Sequence, residues 1–305
     1  MDKSGENILP LVIAGGFGKR LAPLSTIDLP KQFMHFFDNE ESFFQKTVKR
    51  IRKFLITEKI VICINQRHIN LAKEQLKKIC EDNYILICEQ ESRNTFASVL
   101  LGLKAVKFLK NIDTMLVVPT DSFIENEDLF CKNIQTATLQ SLITERHVIF
   151  GVKPTKVEDK YGYIKINSRK SKTFEQCVFF NVDRFIEKPE LAKAKQFIEQ
   201  GNYFWNSGHF VFNVEKLQEE IKQCQEDAWR IFTRMKLIQK SKKFYITDDV
   251  FLTIPNLQID RAIIEKSKNL LCCEAEFDWC DIGSFETIEY LISLRKIKTF
   301  NTFNA

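Results

Sequence analysis

The 305-residue chain is 44% apolar and 28% charged, a balance typical of a folded globular protein and unlike that of a disordered or fibrous chain. Its 45 basic and 40 acidic residues give a formal net charge of +5, and they are scattered along the chain without a long block of one sign. This pattern does not indicate a nucleic-acid-binding protein, although a mildly basic surface suits an anionic substrate.

The nine cysteines include no C-x-x-C pair and no histidine at ligand spacing, so a zinc site is not expected. Their odd count, and their position inside apolar runs such as that around Cys63, indicate reduced thiols packed as small hydrophobic side chains. The first apolar run, residues 8–14, is too short to span a membrane, and no secretory signal is visible. We therefore expect a cytoplasmic protein without a membrane partner.

In the first half of the chain, short apolar runs bounded by turn residues alternate with segments of helical periodicity. Strands are predicted over residues 8–14, 59–65, 84–88, 114–118 and 147–152. Helices are predicted from a Ser42–Gln45 capping box to residue 55, and over residues 70–80, 94–109 and 128–142. Right-handed crossovers then give an α/β fold, a Rossmann-like doubly wound mixed sheet with helices on both faces and a ligand crevice at the carboxyl ends of the strands.

The second half of the chain is less regular. A β-hairpin region is predicted over residues 162–187, a helix over residues 190–200 that ends at Gly201, and two or three further helices beyond it. No repeat or low-complexity linker divides the chain, so we expect one domain whose second half builds the substrate side.

A glycine-rich turn directly follows the first predicted strand. Gly15, Gly16 and Gly18 allow the backbone to approach an anion closely, and Lys19 and Arg20 would neutralise its charge. The turn matches neither the G-x-x-x-x-G-K-[ST] phosphate loop nor the G-x-G-x-x-G dinucleotide loop, because required positions hold other residues. A phosphate group is the expected ligand, while a purely structural turn is the alternative.

The segments after this turn complete an ordered series of motifs over residues 8 to about 290. In chain order they are Pro23-Leu24-Ser25, Leu29-Pro30-Lys31-Gln32-Phe33, Arg93-Asn94-Thr95, Val118-Pro119-Thr120-Asp121, Gly151-Val152-Lys153-Pro154-Thr155, Tyr161-Gly162-Tyr163-Ile164, Phe185-Ile186-Glu187-Lys188-Pro189, Trp205-Asn206-Ser207-Gly208, Ile259-Asp260-Arg261-Ala262 and Asp278-Trp279-Cys280-Asp281-Ile282-Gly283. The series resembles the nucleotidyltransferases that make sugar nucleotides, and its order is that of the bacterial mannose-1-phosphate guanylyltransferases. One motif alone would be weak, whereas the ordered series is specific.

The resemblance implies a nucleotide-diphospho-sugar transferase fold with one domain over residues 1–290. Within it, residues 1–155 would form a nucleotide-binding half and residues 156–290 a sugar-phosphate-binding half, followed by a short tail over residues 291–305.

The resemblance also implies a magnesium site and a triphosphate site. Asp121 and Asp281 match the family's metal-binding aspartates, and Mg²⁺ prefers one or two carboxylates together with substrate phosphates. Arg20 and Lys31 match residues that handle the triphosphate, where charge accumulates as pyrophosphate leaves. The alternatives are turn or capping roles for the aspartates and a surface position for Lys31.

The implied sugar-phosphate site lies in the second half of the chain. Glu187 and Lys188 match an element in which the carboxylate accepts sugar hydroxyls and the ammonium meets the sugar phosphate. Gly162 and Asn206 match positions that contact the sugar through backbone and amide, although Asn206 could also be a turn residue. His209, beside this motif, is interpreted as structural or supporting.

Glu89 bears on which nucleotide base the site would recognise. Related thymidylyl- and uridylyltransferases tend to carry Gln at the matching place. A carboxylate accepts both the N1–H and the N2 amino group of guanine, whereas it would oppose a uracil carbonyl, so Glu89 favours guanine. An exposed loop residue without a contact is the alternative. The predicted nucleotide-binding residues are thus Gly15, Gly16, Gly18, Lys19, Glu89 and Asn94.

The implied reaction is transfer of GMP from GTP to mannose 1-phosphate by Mg²⁺-assisted in-line attack, which gives GDP-mannose and pyrophosphate. The alternatives are UTP or dTTP with glucose 1-phosphate, and a sugar-nucleotide-binding regulatory subunit without turnover. Retention of Arg20, Lys31, Asp121, Lys188 and Asp281 argues against the regulatory subunit.

The chain departs from the family's common pattern at Ala22, Ser122, Phe96 and Ala97, which loosens the assignment of base and sugar. Isomerase activity is not expected, because the phosphomannose isomerase domain of bifunctional relatives does not follow Asp281. A homodimer is one assembly that the resemblance allows.

Overall fold

The structure is a computed structural model that describes residues 7–16, 18, 21–36, 41–55, 59–79, 81–109 and 111–297. Two predicted phosphate-binding residues, Lys19 and Arg20, lie outside the described residues. Within the described ranges, each helix is too short or too polar to cross a membrane.

A mixed sheet of eleven strands forms the centre of the fold. Its strands lie in the order β10-β11-β3-β2-β1-β4-β9-β6-β12-β8-β7. Their bounds are β1 Ile8–Ile13, β2 Ile60–Asn65, β3 Tyr84–Glu89, β4 Thr114–Pro119, β6 His147–Val152, β7 Gly162–Phe174, β8 Cys177–Glu187, β9 Tyr203–Asn213, β10 Leu237–Ser241, β11 Phe244–Thr247 and β12 Leu270–Glu274. Two short strands, β5 Ser122–Ile124 and β13 Trp279–Asp281, form a separate antiparallel pair.

The five predicted strands and the predicted hairpin are confirmed. Strands β1 to β4 lie parallel, as the crossover argument requires. Strand β9 was not predicted, and it runs antiparallel between β4 and β6. The polar residues Asn206, Ser207 and His209 interrupt its apolar pattern, although all three are buried.

Helices cover both faces of the sheet, which confirms the doubly wound α/β fold. They are α1 Phe43–Phe54, α2 Ile69–Lys78, α3 Asn94–Val106, α4 Glu127–Thr144, α5 Leu191–Gln200, α6 Val214–Cys224, α7 Glu226–Arg234 and α8 Phe285–Ser293. Alternation along β1 separates two cores: Leu9 and Leu11 pack with α3 on one face, and Ile8 and Val12 pack with α1 and α4 on the other.

A buried polar network fixes the start of α1. The predicted capping box is present: Ser42 Oγ accepts from Gln45 N at 3.1 Å, and Gln45 Oε1 accepts from Ser42 N at 3.0 Å. Ser42 Oγ also donates to Gln75 Oε1 of α2 at 2.6 Å, and Gln75 Nε2 donates to the carbonyl of Phe33 at 2.7 Å. The network therefore ties two helices to the single turn of 3₁₀ helix at Lys31–Phe33.

Replacing Ser42 by Ala should lower the free energy of unfolding by about 1–2 kcal/mol, because the helix loses its cap and the Gln75 amide loses a buried partner. Urea unfolding followed by circular dichroism measures the change. Ser171→Ala, at an exposed position of β7, is the control and should stay within about 0.5 kcal/mol of the parent. Equal losses in the two variants would contradict the capping role.

Candidate active site

Side chains from other segments hold the glycine-rich turn in place. Gln32 Nε2 donates to the carbonyl of Gly16 at 2.7 Å and to that of Ala14 at 2.9 Å, and Ser92 Oγ donates to the carbonyl of Gly15 at 2.9 Å. Gly18 adopts a φ of +64°, a left-handed conformation that favours glycine. The backbone of residues 14–16, at the carboxyl end of β1, is therefore held in place by these hydrogen bonds.

A cavity of about 510 Å³ opens beside this turn, and we call it the loop cavity. Of the predicted nucleotide-binding residues, Gly15, Gly16, Glu89 and Asn94 line it, together with Lys31. The structure thus brings together residues from three segments of the chain. Gly18 does not line the cavity; it packs against Lys31, whose backbone N would lie 3.2 Å from an added Cβ.

Glu89 is the last residue of β3 and is 2% exposed, so it is not an exposed loop residue. Its Oε1 accepts from Ser98 Oγ at 2.6 Å, and its Oε2 would lie 2.9 Å from a Cβ added to Gly15. Burial raises the pKa of Glu89 to about 7, partly offset by the hydrogen bond from Ser98. Because Gly15 has no side chain, the carboxyl group of Glu89 can lie directly beside the turn.

Asp121 and Asp281 come together through the pairing of β5 with β13. Asp281 lies opposite Ser122 in that pair, and the backbone N of Ile282 donates to the carbonyl of Asp121 at 3.0 Å. Lys31 is 7% exposed, and its Nζ lies 2.9 Å from Asp121 Oδ2 and donates to the carbonyl of Ile282 at 2.6 Å. Lys31 is therefore a buried residue of the site, and the surface alternative is wrong.

A second cavity, of about 500 Å³, lies beside the β7–β8 hairpin, and we call it the hairpin cavity. The predicted sugar-site residues Gly162, Glu187, Lys188 and Asn206 all line it, and so do Asp121 and Asp281. Asp121 also lines the loop cavity, and Ile13, Thr95 and Pro119 likewise line both, so the two cavities adjoin at these residues.

Close packing shapes the wall of the hairpin cavity. Gly162 lies opposite Glu187 in the β7–β8 register, and a Cβ at Gly162 would lie 2.8 Å from Phe185 Cζ and 2.9 Å from Glu187 Oε2. Hydrogen in place of a side chain lets the backbone of Gly162 approach the Glu187 carboxylate.

Lys188 has a φ of +49°, which is uncommon for a residue with a side chain. Its Nζ lies 2.7 Å from Glu187 Oε1. The Gln258 amide can donate to Glu187 Oε1 at 3.3 Å and accept from Lys188 Nζ at 3.0 Å. Backbone strain at a cavity wall is typical of functional positions.

Several polar residues of the two cavities were not assigned from the sequence. Among them are Gln32, Ser92, Ser98, Asn256, Gln258 and Asp260. Gln32 and Asp260 stand inside motifs of the series, which could have identified them, whereas Gln258 carries no such signal. His209 lines neither cavity; burial, followed by the charge of Arg50, lowers its pKa to about 3. This position agrees with a structural interpretation of His209.

The raised pKa of Glu89 predicts a pH dependence of stability. Between pH 4.5 and 7 the folded state holds a proton that the unfolded state has released, so this group's contribution falls as the pH rises through that window. Glu89→Gln removes this dependence. When the pH is raised from 5 to 8, the unfolding free energy of the variant should rise by about 2–3 kcal/mol relative to that of the parent, as measured by urea titrations at each pH. Glu91→Gln, at an exposed position, should show no such gain, and an identical pH profile for both variants would contradict the shift.

Comparisons with known proteins agree with this geometry. The family described as Nucleotidyl transferase matches residues 9–293. The chain is 34% identical over 284 residues to a mannose-1-phosphate guanylyltransferase of Salmonella montevideo, covering 92% of this chain and 59% of that protein. It is 31% identical over 294 residues to an Escherichia coli protein of the same name, covering 92% of this chain and 61% of that protein.

The chain thus spans about three fifths of the length of these curated relatives. A crystal structure described as a mannose-1-phosphate geranyltransferase from Thermus thermophilus superposes with a TM-score of 0.80 at 26% identity, covering 94% of this chain and 79% of that one. The fold, the ordered motifs and the family match over most of the chain lead to one conclusion: the chain belongs to the nucleotidyl transferase family.

Proposed function

We propose that the protein transfers GMP from GTP to mannose 1-phosphate and releases pyrophosphate. The observation that carries the proposal is the meeting of the loop cavity and the hairpin cavity at Asp121. The backbone at Gly15 and Gly16 suits a nucleoside triphosphate in the loop cavity, and polar groups at Glu187 and Asn206 suit a sugar in the hairpin cavity. Both relatives named above carry the name of this activity.

The reaction needs two anions to be aligned in line, with no covalent enzyme intermediate. A phosphate oxygen of mannose 1-phosphate, already ionised at neutral pH, attacks the α-phosphorus of GTP as the bond to pyrophosphate breaks. Lys188, at the hairpin cavity, would hold the sugar phosphate, and Lys31, at the loop cavity, would face the triphosphate. Positioning and charge neutralisation then account for catalysis. Lys19 and Arg20 are proposed to add positive charge at the triphosphate.

The donor chemistry at the junction fits Mg²⁺. Asp121 and Asp281 offer hard carboxylate oxygens on paired segments, and Mg²⁺ typically takes one or two carboxylates and completes its shell with phosphate and water. Among the described residues there is no group of three or more His, Cys, Asp or Glu side chains that would form an all-protein cage. When bound, the ion would neutralise phosphate charge during the transfer.

The proposed guanine preference depends on Glu89. Its buried position beside Gly15 places a carboxyl group at the cavity wall, where it can accept from the N1–H and the N2 amino group of guanine. Gly16 and Asn94 line the same cavity and are proposed to contact the nucleotide, with Gly18 supporting the turn. A cytoplasmic location and a homodimer remain parts of the same proposal.

The activity is tested by pyrophosphate release with GTP, mannose 1-phosphate and Mg²⁺, against a panel of UTP, dTTP and glucose 1-phosphate. The parent should prefer GTP and mannose 1-phosphate. Asp121→Asn and Asp281→Asn keep the side-chain volume and should each lower kcat at least about 100-fold. Asp278→Ala, at an exposed position three residues from Asp281, should remain within about twofold. Turnover near the parent level in either Asn variant, with thermal unfolding unchanged, would overturn the metal assignment.

The base is tested with Glu89→Gln. The variant should lose efficiency with GTP and narrow the gap to UTP by about 10- to 100-fold in kcat/KM, which corresponds to about 1–3 kcal/mol for a charge-assisted pair. Glu91→Gln is the matched control, because its side chain is 62% exposed. An unchanged ranking of nucleotides in Glu89→Gln would assign base recognition to other groups of the loop cavity.

A further inference from the structure

Asp260 lines the hairpin cavity, and hydrogen bonds to α3 hold the segment that carries it. It begins a single turn of π-helix, Asp260–Ile264, and the preceding residue, Ile259, donates its backbone N to Thr95 Oγ1 of α3 at 2.9 Å. The backbone N of Phe96 donates in turn to the carbonyl of Leu257 at 3.1 Å. Two hydrogen bonds to α3 therefore hold the segment that presents Asp260 to the cavity.

The side chain of Asp260 sets the orientation of the Asn206 amide. Asn206 Nδ2 donates to Asp260 Oδ1 at 2.9 Å, and Asn206 Oδ1 accepts from the backbone N of Gly208 at 3.3 Å. Because the amide oxygen and one N–H are both hydrogen-bonded, a 180° flip of the Asn206 amide would break both bonds. Asn206 therefore presents its donor and its acceptor to the cavity in one defined orientation.

Asp260 also stands near the second polar group of the cavity. Burial, followed by the charge of Glu187, raises the pKa of Asp260 to about 7. Lys188 Nζ lies 2.7 Å from Glu187 Oε1, so the three side chains form one polar group at the wall of the cavity.

We propose that Asp260 is a specificity-determining positioning residue, which orients Asn206 beside Glu187 to discriminate between epimeric hydroxyl groups of the sugar 1-phosphate. The proposal deepens the function given above and rests on it. Epimers differ in the direction of one hydroxyl, so discrimination requires donors and acceptors that cannot reorient to suit either one. A free Asn206 amide would accept both epimers by turning over, whereas the amide held by Asp260 cannot.

Asp260→Ala and Asp260→Asn test the proposal, with Glu220→Ala as the matched control. Glu220 is a buried carboxylate that, like Asp260, accepts from an amide, here Asn269 Nδ2 at 2.8 Å, but it lines neither cavity. Steady-state kinetics give KM for each substrate and the ratio of kcat/KM between mannose 1-phosphate and glucose 1-phosphate.

Asp260→Ala should raise KM for the sugar phosphate at least about tenfold and lower the epimer ratio at least about fivefold, while KM for GTP changes less than about twofold. Asp260→Asn keeps an oxygen that accepts from Asn206, and it should recover most of the ratio. Glu220→Ala should leave the ratio unchanged even where stability falls. An unchanged ratio in Asp260→Ala, or the same decrease in Glu220→Ala, would overturn the proposal.

The substrate preference of the parent protein distinguishes a failure of this proposal from a failure of the proposed function. If the parent prefers another sugar 1-phosphate, the proposed function fails, and the ratio is measured between that sugar and its epimer. If the parent shows no turnover, calorimetric binding of the two sugar phosphates to parent and variants gives the same comparison. In either case a loss of discrimination in Asp260→Ala supports the role of Asp260, and its retention contradicts it.

Discussion

The buried ammonium group of Lys31 is the constraint on which the site depends. An ammonium removed from water is stable only with close partners, and here they are the carboxylate of Asp121 and the carbonyl of Ile282. These three residues come from the beginning, middle and end of the chain. The contacts that neutralise the ammonium group therefore also bring together the residues where the two cavities adjoin. The Gln75 amide holds the Lys31–Phe33 turn by donating a hydrogen bond to the carbonyl of Phe33.

Periodicity in the sequence predicted the parallel core of the fold well, because a strand buried on both faces is a continuous apolar run between turn residues. Strands β1 to β4 and β6 are of this kind. Strand β9 could not be found in this way, since Asn206, Ser207 and His209 place polar groups at buried positions. Such positions are tolerated where a cavity or a hydrogen bond satisfies them, and only tertiary structure supplies that information.

For the site, the ordered motifs predicted which residues meet but not how they are held. Gly162, Glu187 and Asn206 line one cavity as the resemblance implied. The supporting contacts join residues far apart in sequence, such as Gln32 with Ala14 and Asn206 with Asp260, and no local pattern encodes them. Ser122, one of the departures from the family pattern, lies buried in the hairpin cavity wall, whereas Phe96 is a residue of α3 that packs into the core.

The position of β9 limits how the loop cavity and the hairpin cavity could close. Its residues 210 and 211 pair on one side with β4, which ends at the junction, and on the other side with β6. Because one strand belongs to both halves of the sheet, a rigid rotation of one half against the other would break a continuous ladder of backbone hydrogen bonds. Exclusion of water during the proposed reaction would therefore have to come from surface loops and side-chain rearrangement, and the rate of product release in that reaction would reflect those local motions instead of a hinge.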